Sequence, residues 1–526
     1  MDHIHNDNLY KYARYVNSNQ ETRWATTEEI KRAGTYIDLS ADSYPVAGLP
    51  LLSNGKEAYV DGKDTHTLIF GATGSKKTRL FCMPMLNLFA KAGESFVATD
   101  PKGELYHKTS GLMKENGYDI VVLNFREIGK GDRWNPLSTP YRLYKSGNVD
   151  GAVTLLNDFI STVAEPQMAN SKDLFWPEMA SSLMLAHLML LMDSATEDQA
   201  TIASLAKLCS INNELALKRL ASHMDPDSIA GLNYNGTFSS APDTLKSIYA
   251  TLFSMIRIFN TQKNLTDMLS GNTINIKSFG QKKTAVYIIV PDEKTTYHFL
   301  VTTFIKQVYE ILVDEAQKNA MLRLPVRVNF VLDEFCNMPK IADMPTMISA
   351  SRSRNMRFFL VAQSLHQLRS KYGEDADTIK GNCDNWVFLT SKELSLLNEI
   401  SELCGTIHLP NNMHRRLISV SELQRLDKDK GEALIMHARQ YPIITEIADI
   451  DMYEMFKGFD EVEVKPFTLT EAPSFSVALL LEECRRKKRR YPFSKDNGDG
   501  DEDEDENEDK PSSGSSWMSF DDWFND

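Results

Sequence analysis

The chain has 526 residues, 42% of them hydrophobic and 25% charged, which suits two folded domains with tails and excludes a fibrous or wholly disordered protein. Of the formal net charge of −14, a charge of −12 sits on residues 496–526, with thirteen acids and one lysine, and −2 is left for the other 495 residues. A body so close to neutral has no bulk positive field for nucleic acid, so any such contact must be a local patch or a pore lining.

Residues 1–19 are polar where a signal peptide would need an apolar run, and residues 1–60 are assigned to an N-terminal extension. Short β-branched apolar runs then alternate with helical patterns, at residues 66–70, 95–99, 119–123, 284–290, 327–332, 356–361, 385–390 and 432–436. That alternation predicts an α/β fold with a mostly parallel sheet over residues 61–146 and 281–470. Between them, residues 147–280 show only the three-to-four spacing of helices and are read as an inserted all-helical domain. Their strongest apolar run, residues 183–192, falls short of the roughly 20 residues a bilayer span needs and is expected to be a buried helix. No membrane span is expected. The six cysteines (Cys82, Cys209, Cys336, Cys383, Cys404 and Cys484) have no zinc-site or paired spacing and suit a reducing cytoplasm. Residues 471–526 are assigned to a tail that runs from basic to acidic and is expected to be disordered. The basic run 485–490 is read as a patch for nucleic acid or anionic lipid, or as a partner for the acidic block. The closing segment, with Trp517, Phe520, Trp523 and Phe524 among acids, is read as a solubilising tail or a tethered docking motif.

The first run leads into GATGSKKT, formed by Gly71, Ala72, Thr73, Gly74, Ser75, Lys76, Lys77 and Thr78, and then into a helical pattern. Strand, glycine-rich loop, Lys-Thr and helix is the context of a phosphate-binding loop. Its backbone N–H groups and the helix N-terminus would cradle phosphate, Lys77 would reach the β- and γ-phosphates of ATP, and Thr78 would supply a hydroxyl to Mg²⁺. Lys76 stands where the usual pattern has glycine, and it either crowds the phosphates or points outward.

A later apolar run delivers Asp333 and Glu334 to its carboxyl end, as a Walker B element does: Asp333 to hold Mg²⁺ through water, Glu334 to polarise the attacking water. A helix cap after a strand is the bland alternative. The next run ends at Gln363, placed to sense a γ-phosphate. Arg352 and Arg354 precede that run, and one of them is a candidate to complete a neighbouring subunit's site; such a finger is worth about 10³–10⁵ in rate. Asp100 and Lys102, after the second run, either contact nucleotide, contact a subunit seam, or belong to a proline turn that caps a helix.

GATGSKKTR, TDPKGELY, VVLNF with a downstream WNPL, FVLDEFCNMPKI, SRSRN, VAQSLHQL and GNCDNWVFL, in this order, resemble the TraG-like coupling proteins of type IV secretion and conjugation over residues 66–450. A more distant likeness is to the HerA and FtsK translocases. The resemblance implies a RecA-like ATPase, interrupted by a helical domain, that forms a ring, often hexameric. Such a ring brings single-stranded DNA with its relaxase, or protein cargo, to the channel components of the secretion system. It implies catalytic roles for Lys77, Glu334 and Gln363, with Arg352 or Arg354 as the finger. Family members usually begin with membrane helices. The chain is therefore read either as a soluble, cytoplasmic branch or as docking on a separate membrane-anchor protein at the inner face of the membrane. An adaptor with a degenerate nucleotide site is the alternative.

Overall fold

The computed structural model describes residues 22–409, 413–467 and 473–482, so Cys484, the basic run and the acidic tail lie outside the described residues. The chain divides into two compact units, residues 1–134 with 273–468 and residues 135–272 with 469–526.

The first unit opens with a helix, Thr27–Ala33, whose Thr26 cap and Glu29 satisfy each other's backbone N–H groups. Strands β1 (Thr35–Asp38), β2 (Leu49–Ser53) and β3 (Glu57–Asp61) follow and pair antiparallel in the order β1–β3–β2. The reading of residues 1–60 named no element here. Only Ile37 is buried in β1, and β2 is buried throughout and carries Pro50, so neither shows the alternation that marks a strand.

The main sheet is built from β4 (Thr67–Phe70), β5 (Ser95–Asp100), β6 (Asp119–Asn124), β7 (Thr284–Ile289), β8 (Val328–Leu332), β9 (Met356–Ala362) and β10 (Asn385–Phe388). A hairpin of β11 (Thr406–Leu409) and β12 (Met413–Arg416) precedes its last two strands, β13 (Glu432–His437) and β14 (Ile443–Glu446). The order is β14–β13–β10–β4–β9–β8–β5–β7–β6, parallel from β10 to β6, with β13 and β14 antiparallel at one edge. Every residue of β4, β5, β7, β8 and β9 is buried, which explains why these strands read as continuous apolar runs. Helix Met83–Ala92 covers the sheet with Phe89, whose ring lies 5.9 Å from Phe359. At the amino edge the fully buried Arg357 donates to Glu94 (2.6 Å), Asn329 (2.8 Å) and the Ala47 carbonyl (3.0 Å), so one guanidinium ties β9, β8 and two loops.

In the second unit, residues 135–272 form helices and, among the described residues, no strand. The longest are Val149–Asn170, Phe175–Ser194 and Pro242–Thr261. Phe175–Ser194 is long and apolar enough to cross a membrane, with a mean hydropathy of 1.2, but 61% of its apolar window is buried. Its His187 is hydrogen-bonded to the Tyr234 hydroxyl (2.7 Å), as befits a core helix. Residues 473–482 belong to this unit: Phe475 is buried and its N–H donates to the Ser204 hydroxyl (3.0 Å). The five described cysteines are buried free thiols.

Removing one partner of a buried ion pair strands the other charge. Glu94→Ala is expected to cost about 3 kcal/mol of unfolding free energy by leaving Arg357 without its carboxylate. Urea unfolding followed by fluorescence measures this, and a loss below about 1 kcal/mol would show that Arg357 is compensated elsewhere.

Candidate functional site

The sheet order sets the carboxyl ends of β10, β4, β9, β8 and β5 side by side, each about 4.8 Å from the next. The glycine-rich loop leaves β4 and is seated on both neighbours. The Gly71 N–H donates to the Ala362 carbonyl at the end of β9 (3.2 Å), and the Ala72 N–H to the Thr390 carbonyl beyond β10 (2.8 Å). A Cβ on Gly71 would lie 2.3 Å from the Ser75 hydroxyl, so the close turn requires glycine. Gly74 and Lys76 both take the left-handed conformation, with φ of 77° and 66°. The helix that follows opens on a wide π-type turn, Thr78–Cys82, a distortion frequent at functional sites.

Six predicted residues bring their side chains together here: Thr73, Lys77, Thr78, Asp333, Glu334 and Gln363. Lys77 is nearly buried, and its ammonium donates back to the Gly71 carbonyl (2.6 Å). The Thr78 hydroxyl donates to Asp333 Oδ2 (2.9 Å) across 255 positions of sequence. Thr99, at the end of β5, donates to the Asp333 carbonyl (2.8 Å) and fixes the end of β8. Glu334 adopts the left-handed conformation (φ 52°), and its Oε2 accepts from Gln363 Nε2 (2.8 Å) and from Asn337 Nδ2 (3.0 Å). The Thr73 hydroxyl in turn donates to Gln363 Oε1 (3.3 Å), so Gln363 bridges the loop and the acidic pair.

Burial pushes the Asp333 carboxyl above its ordinary range, opposed by Lys77 and the Thr78 hydroxyl. Burial and the Asp333 charge do the same to Glu334. Asp100 is fully buried one strand further on. Burial drives it up to about 6 against the backbone N–H groups of Tyr106 and Leu105. Its Oδ1 has no hydrogen-bond partner among the described residues. Buried carboxylates starved of positive charge fit a cation. The oxygens on offer are hard, and the described residues hold no group of three or more metal-binding side chains. That donor set suits Mg²⁺, which takes one or two protein oxygens and fills its octahedron with water and phosphate.

Four predicted residues, Lys76, Lys102, Arg352 and Arg354, do not join this cluster. Lys102 is exposed in the turn after β5. Arg352 and Arg354 precede β9 at the opposite edge of the sheet, about 20 Å from Gln363 in the same chain. Arg352 pairs with Asp384 (2.6 Å), and Arg354 donates to the Ala350 carbonyl (2.7 Å). Of the two readings of Lys76 the structure has the outward one: its ammonium lies 3.0 Å from Asp429 and 3.8 Å from Asp449. The sequence reading missed Asn337, Arg79, Asp429 and Asp449. Asn337 had a signal, three positions beyond Glu334; the two aspartates had none near the loop.

The family described as type IV secretory system conjugative DNA transfer matches residues 23–446. The chain belongs to this family. It is 22% identical over 420 residues to a conjugal transfer protein TraG of Escherichia coli, covering 73% of this chain and 64% of that protein. A TraG of Agrobacterium fabrum is 21% identical over 417 residues, covering 73% and 60%. The chain thus spans less than two thirds of the length of these curated relatives. The plasmid coupling protein TrwB in complex with the ATP analogue ADPNP superposes with a TM-score of 0.60 at 14% identity, over 86% of this chain and 100% of that one. TrwB in complex with ADP and Mg²⁺ gives 0.57 at 14%, over 84% and 96%. The likeness is one of fold, and the fold of this family member is RecA-like.

Asp100 yields a test of the site's electrostatics. Its ordinary value is 3.8 and the fold raises it to about 6. Between about pH 4 and pH 6 the unfolded chain has lost this proton and the native one keeps it, so stability falls as pH rises through that window. Asp100→Asn is expected to remove up to about 3 kcal/mol of that fall and to stabilise the metal-free protein at pH 7. Urea unfolding from pH 4 to 7 measures it, and identical slopes for parent and variant would show that Asp100 ionises freely.

Proposed function

We propose that the chain is an ATP-driven coupling protein of conjugation or type IV secretion. In this reading the loop from Gly71 to Thr78 holds the triphosphate on its backbone N–H groups, and the Lys77 ammonium leaves the Gly71 carbonyl for the β- and γ-phosphates. Thr78 and Asp333 hold Mg²⁺, which would neutralise charge on the phosphate oxygens. Glu334 takes the proton of the attacking water, while Gln363 orients it and reports on the loop through Thr73. Asp100 adds negative charge to the cation side. Lys102 lies on the same sheet edge, available to a seam between copies. Arg352 or Arg354 of a neighbouring copy would complete the site in a ring, hexameric by family resemblance. The cycle would hand single-stranded DNA with its relaxase, or protein cargo, to the secretion channel.

The observation that carries this reading is the Thr78–Asp333 hydrogen bond beside the buried Lys77, since it joins the two halves of the proposed ATPase site across 255 positions of sequence. TrwB, bound to ADPNP in one structure and to ADP and Mg²⁺ in another, supports the choice of ligand. The alternative, an adaptor with a weak nucleotide site, rests on Lys76; the outward course of that side chain argues against it.

Phosphate release, with and without single-stranded DNA, tests the proposal. Lys77→Ala is expected to abolish nucleotide binding. Glu334→Gln is expected to bind ATP and to hydrolyse it at least about 100-fold more slowly. Turnover in both variants at the parent's rate would refute the site assignment.

A further inference from the structure

Lys76 is where this loop departs from the glycine-rich pattern, and the structure meets it with carboxylates that the nucleotide chemistry leaves unused. A side chain at φ 66° costs free energy that a glycine would not incur. Something must hold it there. Its ammonium lies 3.0 Å from Asp429, and Asp429 sits on a braced turn. Asp427 Oδ1 accepts the N–H of Asp429 (2.9 Å), and the Asp427 N–H donates to Glu432 (2.9 Å). Gly431 closes the turn at φ 73°, where a Cβ would fall 2.1 Å from the Ile447 carbonyl. Asp449 is the second carboxylate, 3.8 Å from Lys76, and it also accepts from Arg79 Nε (3.1 Å). Arg79 reaches Asp451 as well. Two cations of the loop and its helix, Lys76 and Arg79, therefore share Asp449 after β14, and Lys76 also reaches Asp429 before β13.

We propose that Asp429 and Asp449 are positioning residues for the phosphate loop: by holding the Lys76 ammonium outward they keep residue 76 in the left-handed conformation, and with it the loop amides aimed at the phosphates. This rests on the nucleotide reading above. An exposed ion pair contributes little by itself. Here its effect is leveraged, because the alternative for a released lysine is relaxation to negative φ, which turns the neighbouring peptides away from the ligand. A glycine at 76 would reach the same conformation unaided, so the carboxylates should matter only while position 76 is lysine.

The test is a double-mutant cycle on the full chain, read by titration of a fluorescent ATP analogue with Mg²⁺. Asp429→Asn is expected to raise Kd about threefold, and Asp429→Asn with Asp449→Asn about tenfold. In a Lys76→Gly background the same substitutions are expected to leave Kd within about twofold of that background. Equal weakening in both backgrounds would mean that the carboxylates act on the site or the fold generally, and no weakening in the lysine background would mean that they do nothing; either overturns the proposal. Amide hydrogen exchange without nucleotide gives a readout independent of binding. Residues 72–78 should exchange faster in the double variant than in the parent and at the parent's rate once Lys76→Gly is added. If the parent binds no nucleotide, the ATPase reading fails, and the exchange pattern alone decides whether the pair holds the loop.

Discussion

Parallel pairing of β10, β4, β9, β8 and β5 is the constraint on which the site depends. Parallel neighbours end on the same edge, and each crossover returns the chain to start the next strand from the far side. Residues as distant in sequence as Thr73 and Gln363, 290 positions apart, are therefore delivered to one place without any special recognition between them. Full burial of β4, β9, β8 and β5 makes the frame rigid, so the register between β8 and β9, Val331 opposite Phe359, fixes how far Asp333 and Glu334 stand from Gln363. The base of the loop is anchored on both flanking strands by backbone bonds, from Gly71 to Ala362 and from Ala72 to Thr390.

The same burial explains what was legible in the sequence. A strand covered on both faces is written as an unbroken apolar run, and all eight such runs are strands of the main sheet. Asp333, Glu334 and Gln363 were legible because each follows such a run, where a polar residue has a reason to be, and Lys77 and Thr78 because a glycine-rich loop between a strand and a helix leads to them. The rest lacked that signature. β14 has four residues, and β11 and β12 form a short hairpin with polar positions, too brief for a pattern. Asp429 and Asp449 act through tertiary approach, from turns more than 350 positions beyond the loop, and nothing local distinguishes them from other surface acids. The position of Arg352 and Arg354 relative to the site was open for a related reason: sequence order places them before β9, and only the strand direction puts them on the far edge.

The electrostatics of the cluster show how such a site stays ordered without its ligand. Asp333, Glu334 and Asp100 are all pushed toward protonation by burial, so a negative cluster is held in a region that disfavours it. Each group assigned to the ligand in the proposed reading meanwhile has a partner within the protein. Lys77 donates to the Gly71 carbonyl, Asp333 accepts from Thr78, and Glu334 accepts from Gln363 and Asn337. Exchanging one hydrogen bond for another changes free energy by far less than making one in an empty cavity, so these substitutes lower the cost of holding the site assembled.

They also couple its parts. Moving Lys77 off the Gly71 carbonyl disturbs the base of the loop, Thr73 belongs to that loop, and Thr73 shares Gln363 with Glu334. Occupancy at the loop and the freedom of the Glu334 carboxylate are thereby linked through one amide side chain. Oε1 of Gln363 is held by the loop and its Nε2 by the acid, and an amide cannot rotate to suit one partner without losing the other. A shift of the Gln363 amide toward one partner therefore weakens its hold on the other, and this couples the position of the loop to the Glu334 carboxylate.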